Sequence, residues 1–278
     1  MPPLAHCLLR AGSLLASVAC TWGCATAIPS PLEPQRQGTL GSPNYGLIVG
    51  TPPMPAVPGV LGFLRDNDRH HGLPRFAQAL VRASQRVQME LPGTPTLVVG
   101  DFSTEHGGQT FPHHSHRNGL DVDLLFYLTT LDGAPVQTTE FVHFRDDGIG
   151  YSPKQKRWLR FDERRQWALL RALLEDPEAR VQWAFFQHQL KPILLDWAIA
   201  HGEPDDVIVR AAQVLLEPHP GGAHDDHFHV RTYCNRAEQA QGCVPNGPPR
   251  PWIPVEEVAM PSEPSSASLA AELLAWQP

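Results

Sequence analysis

Histidine is the residue type whose distribution in this chain points most directly to chemistry. The 278 residues include 14 histidines, and eight of these fall in two windows of 11 residues, 106–116 and 219–229. Because an imidazole ring coordinates metal ions and exchanges protons near neutral pH, this bunching indicates a metal site or an acid–base site. The eight residues are His106, His113, His114 and His116 in the first window and His219, His224, His227 and His229 in the second.

The first window leads into an alternating segment at 120–127 that predicts a β-strand. His116 precedes this segment in a loop, and Gly119 permits a tight turn into the strand. Asp123 projects from the polar face of the strand, so that His116 and Asp123 can bind one ion across the turn. Asp121 shares that face, and its carboxylate is a ligand, a partner of a ligand or a solvated group.

The second window ends in His227-Phe228-His229. The two-residue period of a strand places both imidazoles on one face and Phe228 in the core. A catalytic zinc ion takes three protein ligands from histidine nitrogen and carboxylate oxygen, and keeps one position for water. His116, Asp123 and His229 make such a set, and together they predict a single zinc site.

A zinc ion at this site lowers the pKa of its bound water to about 7, which makes the water a usable nucleophile. His227 is then predicted to be the general base. His224 is predicted to stabilise the charge that develops on the substrate oxygen. The isolated histidines are predicted to be surface or capping residues; these are His70, His71, His143, His188 and His201.

The elements that must position these residues follow from hydrophobic periodicity. The pattern predicts helices at 74–90, 162–175, 188–201 and 204–216, and strands at 96–100, 120–127, 181–186 and 226–231. Helices and strands follow each other without a regular βαβ alternation. The predicted fold is therefore α+β, with a central antiparallel sheet and flanking helices that carry the zinc site.

The two ends of the chain differ in composition from the body. Residues 1–27 predict an export signal, with Arg10 before a short apolar run and a small-residue cleavage pattern at 25–27; a packed amino-terminal helix is the alternative. Residues 28–60 are predicted to be a Pro-rich extended lead-in, 61–245 the domain that carries the zinc site, and 246–278 a Pro/Ser-rich tail. A second alternative is a lipid anchor at Cys20.

Charge, hydropathy and cysteine content exclude some classes of function. The formal net charge is −7 and no basic patch is present, which argues against a nucleic-acid partner. No apolar run reaches about 18 residues, so no membrane span is predicted. Cleavage after Ala27 leaves only Cys234 and Cys243, an even pair that predicts a disulfide in an oxidising compartment.

Four stretches of the chain resemble the penicillin-insensitive murein endopeptidases, which belong to the lysostaphin, D-Ala-D-Ala metallopeptidase and sonic hedgehog amino-domain superfamily. They are Gly107-Gly108, the residues 113–116, the residues 119–123 and the residues 224–231. A weaker similarity spans roughly residues 40–245. The resemblance implies a zinc peptidase that cuts D-amino-acid amide bonds in peptidoglycan.

The family's functional residues map onto this chain through those motifs. The resemblance implies zinc ligands at His116, Asp123 and His229, and active-site histidines at His224 and His227. It also implies a disulfide between the two late cysteines, and His113 as a further ligand. Residues 144–150 lack the histidine with which a relative holds a second metal, so one zinc per chain is expected.

The predicted function is a periplasmic zinc endopeptidase that hydrolyses D-alanyl–meso-diaminopimelate crosslinks in peptidoglycan by zinc-activated water. Because no side chain forms an acyl-enzyme, β-lactams are not expected to inhibit it. One alternative is a D,D-carboxypeptidase or dipeptidase that acts on uncrosslinked stem peptides. Another is a non-catalytic, zinc-stabilised cell-wall binding module, although such a module need not keep both active-site histidines.

Overall fold

The computed structural model describes residues 37–218, 222 and 224–253. The predicted export signal, Cys20 and His219 therefore lie outside the described residues, as does most of the predicted tail. No described helix combines the length and the apolar character needed to cross a membrane. The helices are α1 (Pro74–Glu90), α2 (Glu163–Glu175), α3 (Leu190–Ala200), α4 (Asp205–Val214) and α5 (Arg236–Ala240).

The strands form three sheets within the described residues. A hairpin consists of β1 (Gly38–Ser42) and β2 (Tyr45–Val49). A six-stranded sheet has the order β11-β10-β12-β5-β4-β3, comprising β3 (Leu61–Phe63), β4 (Leu97–Val99), β5 (Asp121–Leu125), β10 (Val181–Phe185), β11 (Leu215–Leu216) and β12 (His227–Thr232). A four-stranded sheet has the order β7-β6-β9-β8, comprising β6 (Leu128–Thr129), β7 (Pro135–Val136), β8 (Ile149–Ser152) and β9 (Arg157–Phe161).

The six-stranded sheet confirms the predicted α+β class and refines its topology. Its four inner strands, β10, β12, β5 and β4, pair in antiparallel fashion, as predicted. The two outer pairs, β10 with β11 and β3 with β4, are parallel. The sheet is therefore mixed, because the long connections through α1 and through α3 and α4 return the chain in the same direction.

Pairing between β5 and β12 sets the positions of the candidate site residues. In this register His229 lies opposite Asp123, and Arg231 lies opposite Asp121. Phe228 on the other face of β12 is fully buried, as the two-residue period predicted. The register thus brings the two histidine windows, more than 100 residues apart in sequence, onto adjacent strands at the centre of the sheet.

Helices α1 and α2 close the core beside this sheet. The apolar stripe of α1, including Phe76, Leu80 and Val87, is completely buried. Helix α2 begins after Asp162, whose side chain accepts a hydrogen bond from the backbone N–H of Arg165 at 3.1 Å. This cap satisfies a free donor of the first helical turn, as predicted from the sequence.

Two parts of the fold were not predicted from hydrophobic patterning. The β1–β2 hairpin lies inside the segment 28–60, which the sequence predicts to be an extended lead-in. The hairpin contacts the rest of the chain through Gly41, whose N–H donates to the carbonyl of Gly242 at 2.8 Å. The four-stranded sheet has strands of two to five residues, which are too short to show a clear alternation.

The predicted disulfide is confirmed: Cys234 and Cys243 are bonded, nine residues apart. Both cysteines are buried next to β12. Closing a loop of this size restricts the unfolded chain, and the double substitution Cys234→Ser, Cys243→Ser should lower the free energy of unfolding by about 2–3 kcal/mol. Urea unfolding of both forms measures this difference. Thiol labelling of mature, exported protein should detect no reactive cysteine, and two labelled thiols per chain would contradict the pairing.

Candidate metal centre

Three buried side chains converge where β5, β12 and the loop before β5 meet. His116 Nε2 lies 3.1 Å from Asp123 Oδ1 and 3.3 Å from His229 Nδ1. His229 Nδ1 lies 3.3 Å from the same oxygen of Asp123. Ligand atoms bound tetrahedrally to zinc at 2.0–2.1 Å are separated from one another by about 3.3 Å. The three side chains therefore have the mutual separations of a metal-ligand set.

The ionisation of these groups also suits a cation. The carboxylate of Asp123 is completely buried, and its Oδ1 lies 3.1–3.3 Å from ring nitrogens of His116, His227 and His229. Burial opposes ionisation of Asp123, but the nearby rings of His116 and His227 hold the pKa of this carboxyl well below its usual range. Burial also lowers the pKa of His229 to about 4, so its ring is neutral and keeps a lone pair. A metal ion would satisfy the buried carboxylate and this lone pair.

The loop before β5 holds His116 in an unusual conformation. His116 has a backbone φ of +61°, a region that residues other than glycine rarely adopt. Its backbone N–H donates to Asp121 Oδ2 at 3.3 Å, which ties the loop to the strand. Gly119 has a φ of +74°, and a Cβ there would lie 2.4 Å from Ile48 Cδ1. The turn predicted at this glycine is therefore present and tightly packed.

His113, the fourth predicted ligand, lies at the edge of the same cluster. Its Nδ1 is 4.0 Å from Asp123 Oδ2, and its Nε2 is 3.0 Å from Asp101 Oδ2. Because the carboxylate of Asp101 accepts from the Nε2 side, the Nδ1 lone pair faces the cluster. Asp101 itself is buried and also accepts from Arg65 and Arg69 at 3.2 and 3.1 Å. The sequence analysis gave this carboxylate no role in the site, although it lies two residues after the buried strand β4.

His227 lies beside the three converging side chains. Its Nε2 is 3.3 Å from Asp123 Oδ1, while its Nδ1 donates to Asp226 Oδ1 at 2.5 Å. Burial lowers the pKa of His227, but Asp123 and Asp226 together outweigh burial and raise the pKa to about 10. Asp226 therefore fixes the ring orientation and directs Nε2 toward the cluster. The sequence analysis gave Asp226 no role, although this residue directly precedes the His227-Phe228-His229 segment.

His224 lines the opening of the cluster. Its ring centroid lies 5.1 Å from that of His227 and 5.4 Å from that of His229. Its Nδ1 donates to the carbonyl of Gly222 at 2.6 Å, which leaves Nε2 directed elsewhere. Burial and the neighbouring His227 lower the pKa of His224. Like His116, it has a positive φ, of +49°.

The structure decides among the three roles that the sequence left open for Asp121, namely a ligand, a partner of a ligand or a solvated carboxylate. Its side chain is fully buried and accepts two hydrogen bonds from Arg231, at 2.6 and 2.9 Å. Its Oδ2 also lies 3.4 Å from His229 Nε2, on the ring edge away from the cluster. Asp121 therefore supports two members of the cluster, the backbone of His116 and the ring of His229, and is not solvated.

The remaining histidines are more varied than predicted. His201 ends α3 and its Nδ1 donates to the carbonyl of Trp197, a capping role as predicted. His71, however, is buried, and its ring nitrogen Nδ1 lies 3.0 Å from the carbonyl oxygen of Thr51, which satisfies that polar atom. His143 is 72% exposed at its side chain and lies 2.8 Å from Asp225. His106 lies in an exposed loop, and His114 lines the groove described next.

A groove of about 370 Å³ opens over the cluster. It is lined by four of the predicted site histidines and by Phe185; the histidines are His113, His224, His227 and His229. The groove is open to solvent, so a chain-like substrate can lie across the buried donors. Every described residue that the sequence predicted for the site therefore faces this groove or lies directly beneath it.

Comparison with known proteins gives a consistent result. Residues 39–252 match the family model described as penicillin-insensitive murein endopeptidase. A protein of that name from Haemophilus influenzae is 28% identical over 213 residues, which cover 74% of this chain and 67% of the relative. Another from Klebsiella pneumoniae is 33% identical over 123 residues, which cover 44% of this chain and 42% of the relative. The second alignment thus spans less than half of the relative's length.

Proposed function

The chain belongs to the penicillin-insensitive murein endopeptidase family, and from that premise we propose that it is a zinc-dependent endopeptidase of peptidoglycan. Its proposed substrate is the D-alanyl–meso-diaminopimelate amide that crosslinks two stem peptides. The observation that carries the proposal is the convergence of His116, Asp123 and His229, with separations of 3.1–3.3 Å, beneath an open groove. The neutral His229 ring and the buried, ionised Asp123 carboxylate support a bound cation, and a donor set of histidine nitrogen and carboxylate oxygen suits zinc.

When bound, zinc acts as a Lewis acid and lowers the pKa of a coordinated water to about 7. The chain's own residues then supply the proton transfers and the charge stabilisation. A cation held by Asp123 would cancel the carboxylate charge that raises the pKa of His227. In that state His227 is proposed to accept the proton of the attacking water at Nε2, because Asp226 occupies Nδ1 and holds the ring in place. The same ring can afterwards return the proton to the leaving amine.

His224 is proposed to stabilise the developing oxyanion of the substrate. Because its Nδ1 donates to Gly222, His224 can donate toward the groove only as the imidazolium. Burial disfavours this charged form in the free protein, whereas negative charge developing on the substrate would favour it. Charge stabilisation of this kind is strong in a partly dry site. His113 is proposed as an additional ligand, since the hydrogen bond to Asp101 turns its Nδ1 toward Asp123.

The proposed location is the periplasm, reached by cleavage of an export signal at residues 1–27. Attachment to the cell envelope through a lipid at Cys20 is the alternative. Residues 1–27 and Cys20 lie outside the described residues, so both the signal and the anchor remain predictions. The disulfide between Cys234 and Cys243 supports an oxidising compartment, where such bonds persist.

The proposed function is tested by digesting purified crosslinked dimer muropeptides with the zinc-loaded protein, with mass spectrometry of the products. We expect monomers to accumulate, and a chelator to abolish their release until zinc is restored. A β-lactam should leave the rate unchanged. Release of free D-alanine alone would favour a carboxypeptidase, and binding without any cleavage would favour a non-catalytic module.

A further inference from the structure

A second groove of about 530 Å³ adjoins the groove over the candidate metal centre. The two share Asn44 and His114 in their walls, so they are continuous at the surface. A substrate that lies across the metal centre therefore meets this second groove when it extends in that direction. The lining residues are Ser42, Asn44, Tyr45, His114, Arg117 and Asn246, with Val244 and Pro245.

Arg117 is the cation of the second groove, and it has no acidic partner among the residues described. Its guanidinium carbon lies 5.7 Å from the centre of the Tyr45 ring, which is itself 83% exposed. Its Nε is buried and makes no hydrogen bond within that part of the chain. An arginine normally forms charge-assisted bonds to carboxylates or phosphates, so this one has unused donors facing a groove.

The backbone at Arg117 is held firmly in place. Its N–H donates to the carbonyl of Pro43 at 3.2 Å, and its carbonyl accepts from the N–H of Gly108 at 2.9 Å. The approach is close enough that a Cβ at Gly107 would lie 2.1 Å from the Arg117 carbonyl oxygen. The following residue, Asn118, is completely buried. The guanidinium therefore projects from a rigid segment directly after the candidate ligand His116.

The opposite wall of the groove is equally constrained. Val244 donates its N–H to the carbonyl of Gly41 at 2.8 Å, immediately after the disulfide at Cys243. Asn246 donates to Asn44 Oδ1 at 3.2 Å and closes the end of the groove. Both walls are thus formed before a ligand binds, which reduces the ordering cost of binding.

We propose that this second groove is a substrate subsite in which Arg117 binds a carboxylate of the peptidoglycan stem peptide. The inference rests on the proposed function, because it assumes that the stem peptide is the substrate. Stem peptides present free carboxylates on diaminopimelate and on D-glutamate, and either group has the charge and planar geometry that an arginine binds. A planar guanidinium binds a carboxylate through two parallel hydrogen bonds, while the exposed face of Tyr45 packs against the aliphatic part of the peptide.

The test uses three dimer muropeptides: one unmodified, one amidated at the diaminopimelate carboxyl and one amidated at the D-glutamate carboxyl. For the unmodified dimer, Arg117→Gln should raise KM by roughly ten- to hundredfold with little change in kcat. Amidation of the carboxyl that Arg117 binds should raise KM of the wild-type protein by a similar factor and should not raise KM of Arg117→Gln further. The amidated dimer with the raised KM then identifies the bound carboxylate. Arg117→Lys should have a KM between those of the wild type and Arg117→Gln.

Arg160→Gln is the matched control, because Arg160 is an exposed arginine on β9 that lines neither groove. Its kinetics and its zinc content should equal those of the wild type. Zinc content should also be unchanged in Arg117→Gln, which separates substrate binding from damage to the metal centre. Cleavage with the same KM in Arg117→Gln and wild type would overturn the subsite and leave the proposed function intact.

A binding measurement tests the subsite without relying on cleavage, so that the proposed function can fail while the subsite stands. Calorimetric titration of the three dimers into a His227→Ala background should show the same preference for the recognised carboxylate, lost in the double variant with Arg117→Gln. A wild-type protein that cleaves no muropeptide but keeps this preference would refute the proposed function alone. Equal affinities for all three dimers would refute the subsite.

Discussion

Replacing His227 by alanine should lower turnover by about 10²–10⁴-fold while the metal content stays near one ion per chain. His227 Nε2 faces the cluster, and Asp226 holds the ring at Nδ1, whereas the proposed ligand set consists of His116, Asp123 and His229. The variant therefore loses a proton carrier and keeps its ligands. Zinc by elemental analysis and cleavage of dimer muropeptides, measured on the same preparation, give the two numbers needed.

His229→Ala is the matched comparison, because it lies two residues further along the same strand face. This variant loses one of three converging donors, so metal content and activity should fall together. Its thermal stability should drop as well, since metal binding contributes to folding. Asp123→Ala should behave in the same way, and His224→Ala should resemble His227→Ala with a milder loss of turnover.

The outcomes distinguish the two histidines sharply. Loss of zinc in His227→Ala with retention in His229→Ala would mean that the assigned roles are exchanged. Retention of zinc and full activity in both variants would mean that the metal binds elsewhere, and the proposed mechanism would fall. A third outcome is a partial loss of zinc in His227→Ala alone, with full turnover restored at saturating zinc. Such a result would mean that His227 assists metal binding through its 3.3 Å contact with Asp123 and is not the general base.

Arg231→Met should lower the free energy of unfolding by about 3–5 kcal/mol. Arg231 is 6% exposed and binds both oxygens of Asp121, which is fully buried. Removing the guanidinium leaves a buried carboxylate without its cation, and the loss of that partner is far more costly than the net value of the pair. The measurement is urea unfolding of the zinc-free protein, which excludes effects of metal binding.

Two further variants control this prediction. Arg145→Met removes an exposed partner of Asp147 and should change stability little, since solvent screens such pairs. The double variant Asp121→Asn, Arg231→Met should be more stable than Arg231→Met alone, because the unpaired charge is gone. A double variant that is less stable than the single one would show that Asp121 acts chiefly through its contacts to His116 and His229.

Several features of this protein could be predicted from the sequence because they depend on local periodicity. The strand period places His227 and His229 on one face and Phe228 in the core, and the structure shows Phe228 fully buried. The stripe of α1 and the cap at Asp162 are equally local. Residue type and spacing also predicted which side chains would converge, since few side chains bind zinc and a strand offers them only at alternate positions, and His116, Asp123 and His229 do lie together.

Other features depend on which strands become neighbours, and only the tertiary structure decided them. The pairing of β12 with β5 sets His229 against Asp123 and gives Asp121 a buried arginine, which removes the alternative of a solvated carboxylate. Contacts of Asp226 and Asp101 likewise became visible only in three dimensions. The β1–β2 hairpin shows no regular alternation of buried and exposed residues, yet the carbonyl of Pro43 in its turn accepts a hydrogen bond from the N–H of Arg117. Long-range pairing of this kind leaves no periodic signal in a single chain, because its partners are set by packing rather than by sequence separation.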